Sequence, residues 1–280
     1  MDSRTKSMKS ELHTTDFGTV RTIEYGRGDT LIILLHGAGS SPAGLSDIAM
    51  RLGNDGYHVV APALSGYMDS KAHVDGTVFD QHNTILHWTA KHFDSQSIIL
   101  GGHSLGSLIV MEEMVSIQPT AVVLIEPVLL SLLDDNNPRH QSALKDYQAL
   151  FNVIQHSITE KKPEMAMEAF IDFWSDFKWD QLPAIFSRQL IAMSEQIINE
   201  LQLVHATKLD HRAIEEFTPP VLLLSGDHSP PITRCILDRL EQTIPNTQRA
   251  TISEAAHMGP MFRPEPYANE IMQFLNQRTD

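Results

Sequence analysis

Ile98-Ile99-Leu100-Gly101-Gly102-His103-Ser104-Leu105-Gly106-Ser107-Leu108-Ile109-Val110-Met111 is the stretch that decides how this chain folds. An apolar run of strand type enters a pair of glycines, and a serine stands two residues after them. An apolar run of helical type then leaves. The pattern G-x-S-x-G over Gly102 to Gly106 therefore has a strand before it and a helix after it, the context in which it carries chemical meaning. The turn between them crowds the backbone, and glycine at 102 and 106 removes the Cβ atoms that would clash. Such a turn lifts the Ser104 hydroxyl above the sheet and sets it at a helix N-terminus, where free N–H groups favour developing negative charge. The same pattern in a loop would be a glycine-rich turn without consequence.

On either side the chain alternates between two periods. Val20 to Tyr25 alternates in strand fashion and ends at Gly26 and Gly28, which mark a hairpin turn. Leu31-Ile32-Ile33-Leu34-Leu35 is a continuous apolar run, as expected of a strand covered on both faces. Further strands are predicted at Tyr57 to Ala61, Ser97 to Leu100, Ala121 to Ile125, Val221 to Leu224 and Gln248 to Ile252. Helical patterns separate them: through Leu45, Ile48, Ala49 and Leu52, then Phe79 to Phe93, Leu105 to Ile117, Ile232 to Ile244 and Pro264 to Leu275. Strand–helix alternation predicts an α/β fold with a mostly parallel central sheet and helices on both faces. Between Pro127 and Pro219 the rhythm stops and the pattern is helical. A structureless loop of that length does not belong in a compact domain. The expected organisation is a core of residues 1–130 and 220–280 with a helical insertion of residues 131–219.

Two other pieces lie at the strand ends where Ser104 sits. His36-Gly37-Ala38-Gly39 follows the strand 31–35, on the edge of an α/β sheet where ligands bind. The N–H of Ala38, with that of Leu105, can form an oxyanion hole, while His36 itself is expected to support the loop. His257 follows the last predicted strand and precedes the last helix, which puts it on the same edge. Fourteen histidines make a histidine by itself uninformative; this one has the place and chain order of a base for Ser104.

With these pieces together, the chain resembles the α/β-hydrolase superfamily, in its serine-nucleophile branch with a cap domain, over nearly its whole length. The resemblance rests on His36-Gly37, on Gly102 to Gly106 and on His257. It extends in part to Ala61-Pro62-Ala63-Leu64-Ser65-Gly66-Tyr67-Met68-Asp69-Ser70, where relatives commonly read P-D-x-R-G-x-G-x-S. Pro62, Gly66 and Ser70 fit, whereas Ala63, Ser65 and Met68 depart in a loop near the pocket. The resemblance implies that the 131–219 insertion is the cap and that no cofactor is used. It also implies acyl transfer through Ser104, because dehalogenases and epoxide hydrolases of this fold carry aspartate at the elbow.

A histidine base needs a carboxylate to hold its tautomer. In most relatives the acid lies three residues after the glycine ending the strand 221–224, and here that residue is Ser229. Asp227 comes one residue after that glycine. Glu126 ends the wholly apolar strand 121–125, and some members place the acid there. A carboxylate at such a place is costly without hydrogen-bond partners, so Glu126 is the first choice and Asp227 the second. The expected function is hydrolysis of a small-molecule substrate with an ester-like carbonyl. Hydrolysis of an activated C–C bond, and a ligand sensor reusing the fold, stay open beside it.

The bulk composition limits the partners. Thirty-five acidic against 21 basic side chains give a net charge of −14, which repels phosphate backbones and argues against nucleic acid. The first residues are polar, and the aliphatic run 31–35 falls far short of the roughly 20 residues that span a bilayer, so no membrane partner is expected. The single cysteine, Cys235, excludes an intramolecular disulfide and fits a cytoplasmic protein. His82, His87 and His92 recur every five residues, a spacing that does not stack metal ligands on one helical face, and no metal site is expected. The aromatic set Phe170, Phe173, Trp174, Phe177, Trp179 and Phe186, with Met165, Met167 and Met193, reads as the insertion's own packing more than as a pocket lining.

Overall fold

The computed structural model describes residues 8–277 except Asp94 and Asp135. The first half runs β1 (Lys9–Thr15), β2 (Gly18–Tyr25), β3 (Thr30–Leu35), α1 (Ser46–Asn54), β4 (His58–Pro62), β5 (Lys71–Ala72) and α2 (Val78–His92). Then come β6 (Ser97–His103), α3 (Leu105–Ile117) and β7 (Ala121–Ile125). Five helices follow without a strand among them: α4 (Pro138–Glu160), α5 (Pro163–Trp174), α6 (Ala184–Ala192), α7 (Ser194–Ala206) and α8 (His211–Glu215). The chain closes with β8 (Val221–Gly226), α9 (Pro231–Thr243), β9 (Thr247–Ile252), α10 (Gly259–Phe262) and α11 (Pro264–Asn276).

The strands form one sheet in the order β1-β2-β4-β3-β6-β7-β8-β9, with β5 paired to β2. From β4 to β9 the pairings are parallel, and β1, β2 and β5 add antiparallel ladders at one side. Strand order reverses at β3, whose neighbours are β4 on one side and β6 on the other. The crevice beyond the carboxyl ends at such a switch point is where open α/β sheets bind ligands.

Alternation along each central strand feeds two cores. Leu31, Ile33 and Leu35 of β3, with Leu100, Val122, Leu124, Val221 and Leu223, face α3, α9 and the inserted helices. Ile32 and Leu34, with Ile99, Val123, Ile125, Leu222 and Leu224, face α1 and α11. Insertion residues Tyr147, Leu150, Ile154, Phe170, Trp174, Ile197 and Leu201 belong to the first core, so the inserted helices share packing with the sheet. Each such aliphatic or aromatic side chain contributes about 1.5–3 kcal/mol by leaving water. Phe186 departs from the expected packing and is 54% exposed.

Two local expectations need correction. β2 does not return on β3 as a hairpin, because β4 lies between them, antiparallel to β2 and parallel to β3. Gly26 and Gly28 serve a close approach instead: a Cβ on Gly28 would lie 1.9 Å from the Gly56 carbonyl oxygen, and one on Gly26 2.2 Å from that of Tyr57. β1 and β5 also lack a strand pattern in the sequence. β1, Lys-Ser-Glu-Leu-His-Thr-Thr, is a half-exposed edge strand with one aliphatic residue, and β5 has two residues. Among the described residues no helix is long and apolar enough to cross a membrane.

Candidate active site

Ser104 stands between β6 and α3 with φ 54° and ψ −116°, a conformation that costs an L-residue on the order of 1–3 kcal/mol. Neighbouring elements enforce it. A Cβ on Gly102 would lie 2.3 Å from the Gly106 carbonyl, and one on Gly106 2.4 Å from the Leu35 oxygen, so β6, α3 and β3 meet only through glycine. The Ser104 N–H donates to the Ile125 carbonyl at 2.9 Å, and the Ser107 hydroxyl donates to Gly102 O at 2.5 Å. In turn Ser107 Oγ accepts the Ile125 N–H at 3.2 Å. The elbow is thus fastened to the end of β7, one residue before Glu126.

Glu126 is wholly buried, with φ 53°, and its N–H donates to the Leu224 carbonyl at 2.8 Å. One carboxylate oxygen, Oε1, accepts the Gly226 N–H and the Ser229 hydroxyl, both at 2.6 Å. The other, Oε2, lies 3.2 Å from Nδ1 of His257, whose side chain is 2% exposed. Nδ1 carries the proton of that hydrogen bond, because a carboxylate only accepts, and Nε2 is left as the basic nitrogen. Asp227, the alternative acid, lies elsewhere. Its side chain is 42% exposed, with Oδ1 accepting the Ala255 N–H at 3.4 Å and standing 3.8 Å from His228 Nε2.

His103, the residue between the glycines and Ser104, has no role that the sequence pattern announces. Its Nε2–H donates to the His257 carbonyl at 2.8 Å, and the two rings are 5.1 Å apart. The elbow therefore holds the His257 backbone through the residue preceding the serine. Burial, and secondarily His257 itself, pushes the His103 pKa down to about 3, so a neutral ring stands beside His257. Only the local position beside Ser104 could have flagged it. His36 takes the supporting place expected of it, with Nε2 accepting the Leu64 N–H at 3.1 Å and Nδ1 donating to Gly37 O at 2.9 Å. Burial holds its pKa at about 4.

Leu105 is the first residue of α3, so its N–H has no helical acceptor, and Ala38 lies in the loop after β3. Among the described residues neither N–H makes a hydrogen bond. From the insertion, the Trp174 ring stands 4.3 Å from that of His257. Concavities of about 250 Å³ beside Tyr25 and Met50, and of about 510 Å³ beside Leu144 and His205, include neither Ser104 nor His257. His82, His87 and His92 do not converge: the first two face Glu200 and Glu113, and the third stacks on Trp88. No group of residues suited to a metal ion occurs among the described residues.

A family model described as the alpha/beta hydrolase family matches residues 32–270. No curated protein matches the chain. Among solved structures it is similar to a membrane phospholipase A described as a bacterial virulence factor, with TM-score 0.76 and 19% identity over 96% of this chain and 86% of that one. Carboxylesterase CesB from Bacillus subtilis superposes with TM-score 0.69 and 17% identity, over 96% of this chain and 92% of the other. Epoxide hydrolase CorEH gives TM-score 0.73 and 14% identity, over 97% and 99%. At these identities the likeness is one of fold, and the fold hosts more than one chemistry.

Proposed function

This chain belongs to the alpha/beta hydrolase family, and from that premise we propose that it is a serine hydrolase cleaving small-molecule carboxylic esters through an acyl-enzyme, with Ser104, His257 and Glu126 as its triad. The observation that carries the reading is the buried pairing of Glu126 Oε2 with His257 Nδ1 at 3.2 Å, on the edge where the strained turn presents Ser104. Glu126 spends its other oxygen on Gly226 and Ser229, which leaves Oε2 for the histidine alone. A serine at the elbow favours this chemistry over epoxide opening, since its hydroxyl attacks a carbonyl carbon.

In the first half-reaction Ser104 Oγ bonds to the carbonyl carbon while its proton passes to His257 Nε2. Negative charge on the former carbonyl oxygen meets the N–H groups of Ala38 and Leu105. Collapse of the tetrahedral intermediate breaks the bond to the alcohol oxygen, which leaves with the proton from His257. Water then attacks the acyl-enzyme by the same route, and the carboxylic acid departs. Glu126 stabilises the imidazolium in both halves without taking its proton. These side chains suffice for the reaction, and no cofactor enters it.

The helices within residues 131–219 act in this reading as a cap. Trp174 against His257 supports that role. Its ring gives the substrate an apolar wall, suited to an apolar acyl or alcohol group. Turnover of a p-nitrophenyl ester series tests the function. Ser104→Ala should retain only the about 10³–10⁴-fold acceleration over water left by the rest of the site, with an unchanged fold. More than a few per cent of wild-type esterase activity in that variant would overturn the assignment. Labelling at Ser104 without turnover of any ester would shift the reading to C–C bond cleavage or ligand sensing.

A further inference from the structure

The loop that departs from the family pattern at Ala63, Ser65 and Met68 carries a buried side chain with two opposed hydrogen bonds. The Tyr67 phenol oxygen accepts the Gly39 N–H at 2.9 Å and donates to Glu200 Oε2 at 2.7 Å. Gly39 follows Ala38 directly, in the loop that supplies one of the proposed oxyanion donors. Glu200 lies on α7, inside the insertion, and is wholly buried. Its Oε1 receives Gln196 Nε2 at 2.7 Å and His82 Nε2 at 3.1 Å. The Gln196 amide also donates to the Ser65 carbonyl at 3.2 Å. The Tyr67 ring stands edge-on to His36 at 4.8 Å. The oxyanion loop is therefore gripped at His36 and at Gly39, and the second grip leads into the inserted helices.

The direction of each bond is fixed by chemistry. An amide N–H only donates and a carboxylate only accepts, so the Tyr67 proton must point to Glu200 and a lone pair to Gly39. Burial and the adjacent carboxylate push the phenol pKa well up, which keeps that proton in place. A buried carboxylate is costly without donors, and here three donors from α2, α7 and the loop converge on it. Beside these bonds, Ile197 and Leu190 close on Gly39: a Cβ added there would lie 3.1 Å from Ile197 Cδ1 and 3.2 Å from Leu190 Cδ2.

We propose that Glu200 is a positioning residue for the oxyanion site: acting through Tyr67 and the Gly39 N–H, it holds the Ala38 N–H at the angle the reacting carbonyl oxygen needs. The inference rests on the serine-hydrolase reading above. Under it, the insertion sets the rate of the chemical step as well as admitting substrate. Glu200 touches neither substrate nor reacting atoms, so its effect must follow transition-state charge and not substrate affinity.

The test uses Tyr67→Phe and Glu200→Gln in the full chain, with ester kinetics, thermal melts and inhibition by a trifluoromethyl ketone. That probe adds the Ser104 oxygen to its carbonyl carbon and places an oxyanion where the intermediate would have one. Removing an oxyanion donor outright costs about 10²–10³ in kcat, so a donor held loosely should cost roughly tenfold. Each variant should lose about that factor in kcat with KM within about twofold, and the ketone Ki should rise in step. The double variant should lose no more than the worse single one, because both act through one chain of bonds. Wild-type kcat and Ki in a folded Tyr67→Phe or Glu200→Gln protein, whatever its melting temperature, would overturn the inference and leave the hydrolase reading standing. Should one variant not fold, the other decides. Absence of a Ser104-dependent ketone adduct in the wild-type protein would overturn both.

Discussion

Glu126 holds φ 53° one residue past β7 and sends its two oxygens in different directions, one to Gly226 and Ser229 and the other to His257. If that geometry is the catalytic one, Glu126→Gln leaves an amide whose nitrogen cannot accept from Nδ1, and the required tautomer is lost. The expected fall in kcat is about 10⁴-fold, on the scale of the corresponding asparagine replacement in serine proteases. Ser229→Ala removes one donor to the same carboxylate, and a hydrogen bond to a charged group is worth about 1.5–3 kcal/mol, so tenfold or more in kcat should go with it. Asp227→Asn should cost no more than about 1 kcal/mol of stability, read from melts, with kcat intact. A larger kcat loss for Asp227→Asn than for Glu126→Gln would reverse the choice of acid. Strain at Ser104 gives a separate check, because Ser104→Gly should be more stable than Ser104→Ala by about 1 kcal/mol. The pairing of Glu126 with His257 can be reached from sequence because Ser229 fills the place where relatives put an acid. The His103 contact cannot, since no local pattern announces that its Nε2 will meet a carbonyl 154 residues further on.

Elements buried on both faces are the ones a sequence displays most openly. β7 is aliphatic throughout, β3 is so from Leu31 to Leu35 and β8 from Val221 to Leu224, and α3 keeps the bounds Leu105–Ile117 that its pattern predicts. β1 is hidden by the opposite circumstance: at the sheet edge it needs backbone partners and few apolar side chains. Likewise the order β2-β4-β3 is a matter of which strands meet, which hydrophobic periodicity does not encode. Helix α5 ends with Trp174, 4% exposed and 4.3 Å from the His257 ring, and this contact makes the insertion testable. Trp174→Ala should raise KM for apolar esters about tenfold, equivalent to about 1.4 kcal/mol of lost contact. The reactivity of Ser104 toward a small phosphonylating reagent should change much less. A collapse of that reactivity with KM unchanged would mean that Trp174 supports the histidine and does not face substrate.

For the molecule as a whole, folding buries histidines that an unfolded chain would expose. The pKa values of His36 and His103 fall from 6.5 to about 4 and about 3 because burial penalises their charged forms. The unfolded chain therefore binds more protons below pH 6.5, and the stability these residues confer is complete above that pH. It is lost progressively as pH falls toward 4 and 3. Glu112 works the other way, its pKa raised by burial from 4.5 to about 7, so its contribution is present below pH 4.5 and fades as pH rises through 7. Comparing wild type with His103→Gln cancels the Glu112 contribution: the variant should be less stable at pH 7.5 yet lose less between pH 6.5 and 4. An equal or steeper acid slope in the variant would contradict the burial account of His103. Fold likeness to a phospholipase, a carboxylesterase and an epoxide hydrolase leaves the chemistry to the site. In the proposed reading that chemistry begins at the Ser104 oxygen, so the direct measurement is fluorophosphonate labelling followed by intact mass and peptide mapping. One adduct per chain is expected, on the peptide containing Ser104, at a rate cut steeply by Glu126→Gln and abolished in Ser104→Ala. No adduct, or one on another residue that persists in Ser104→Ala, would contradict it.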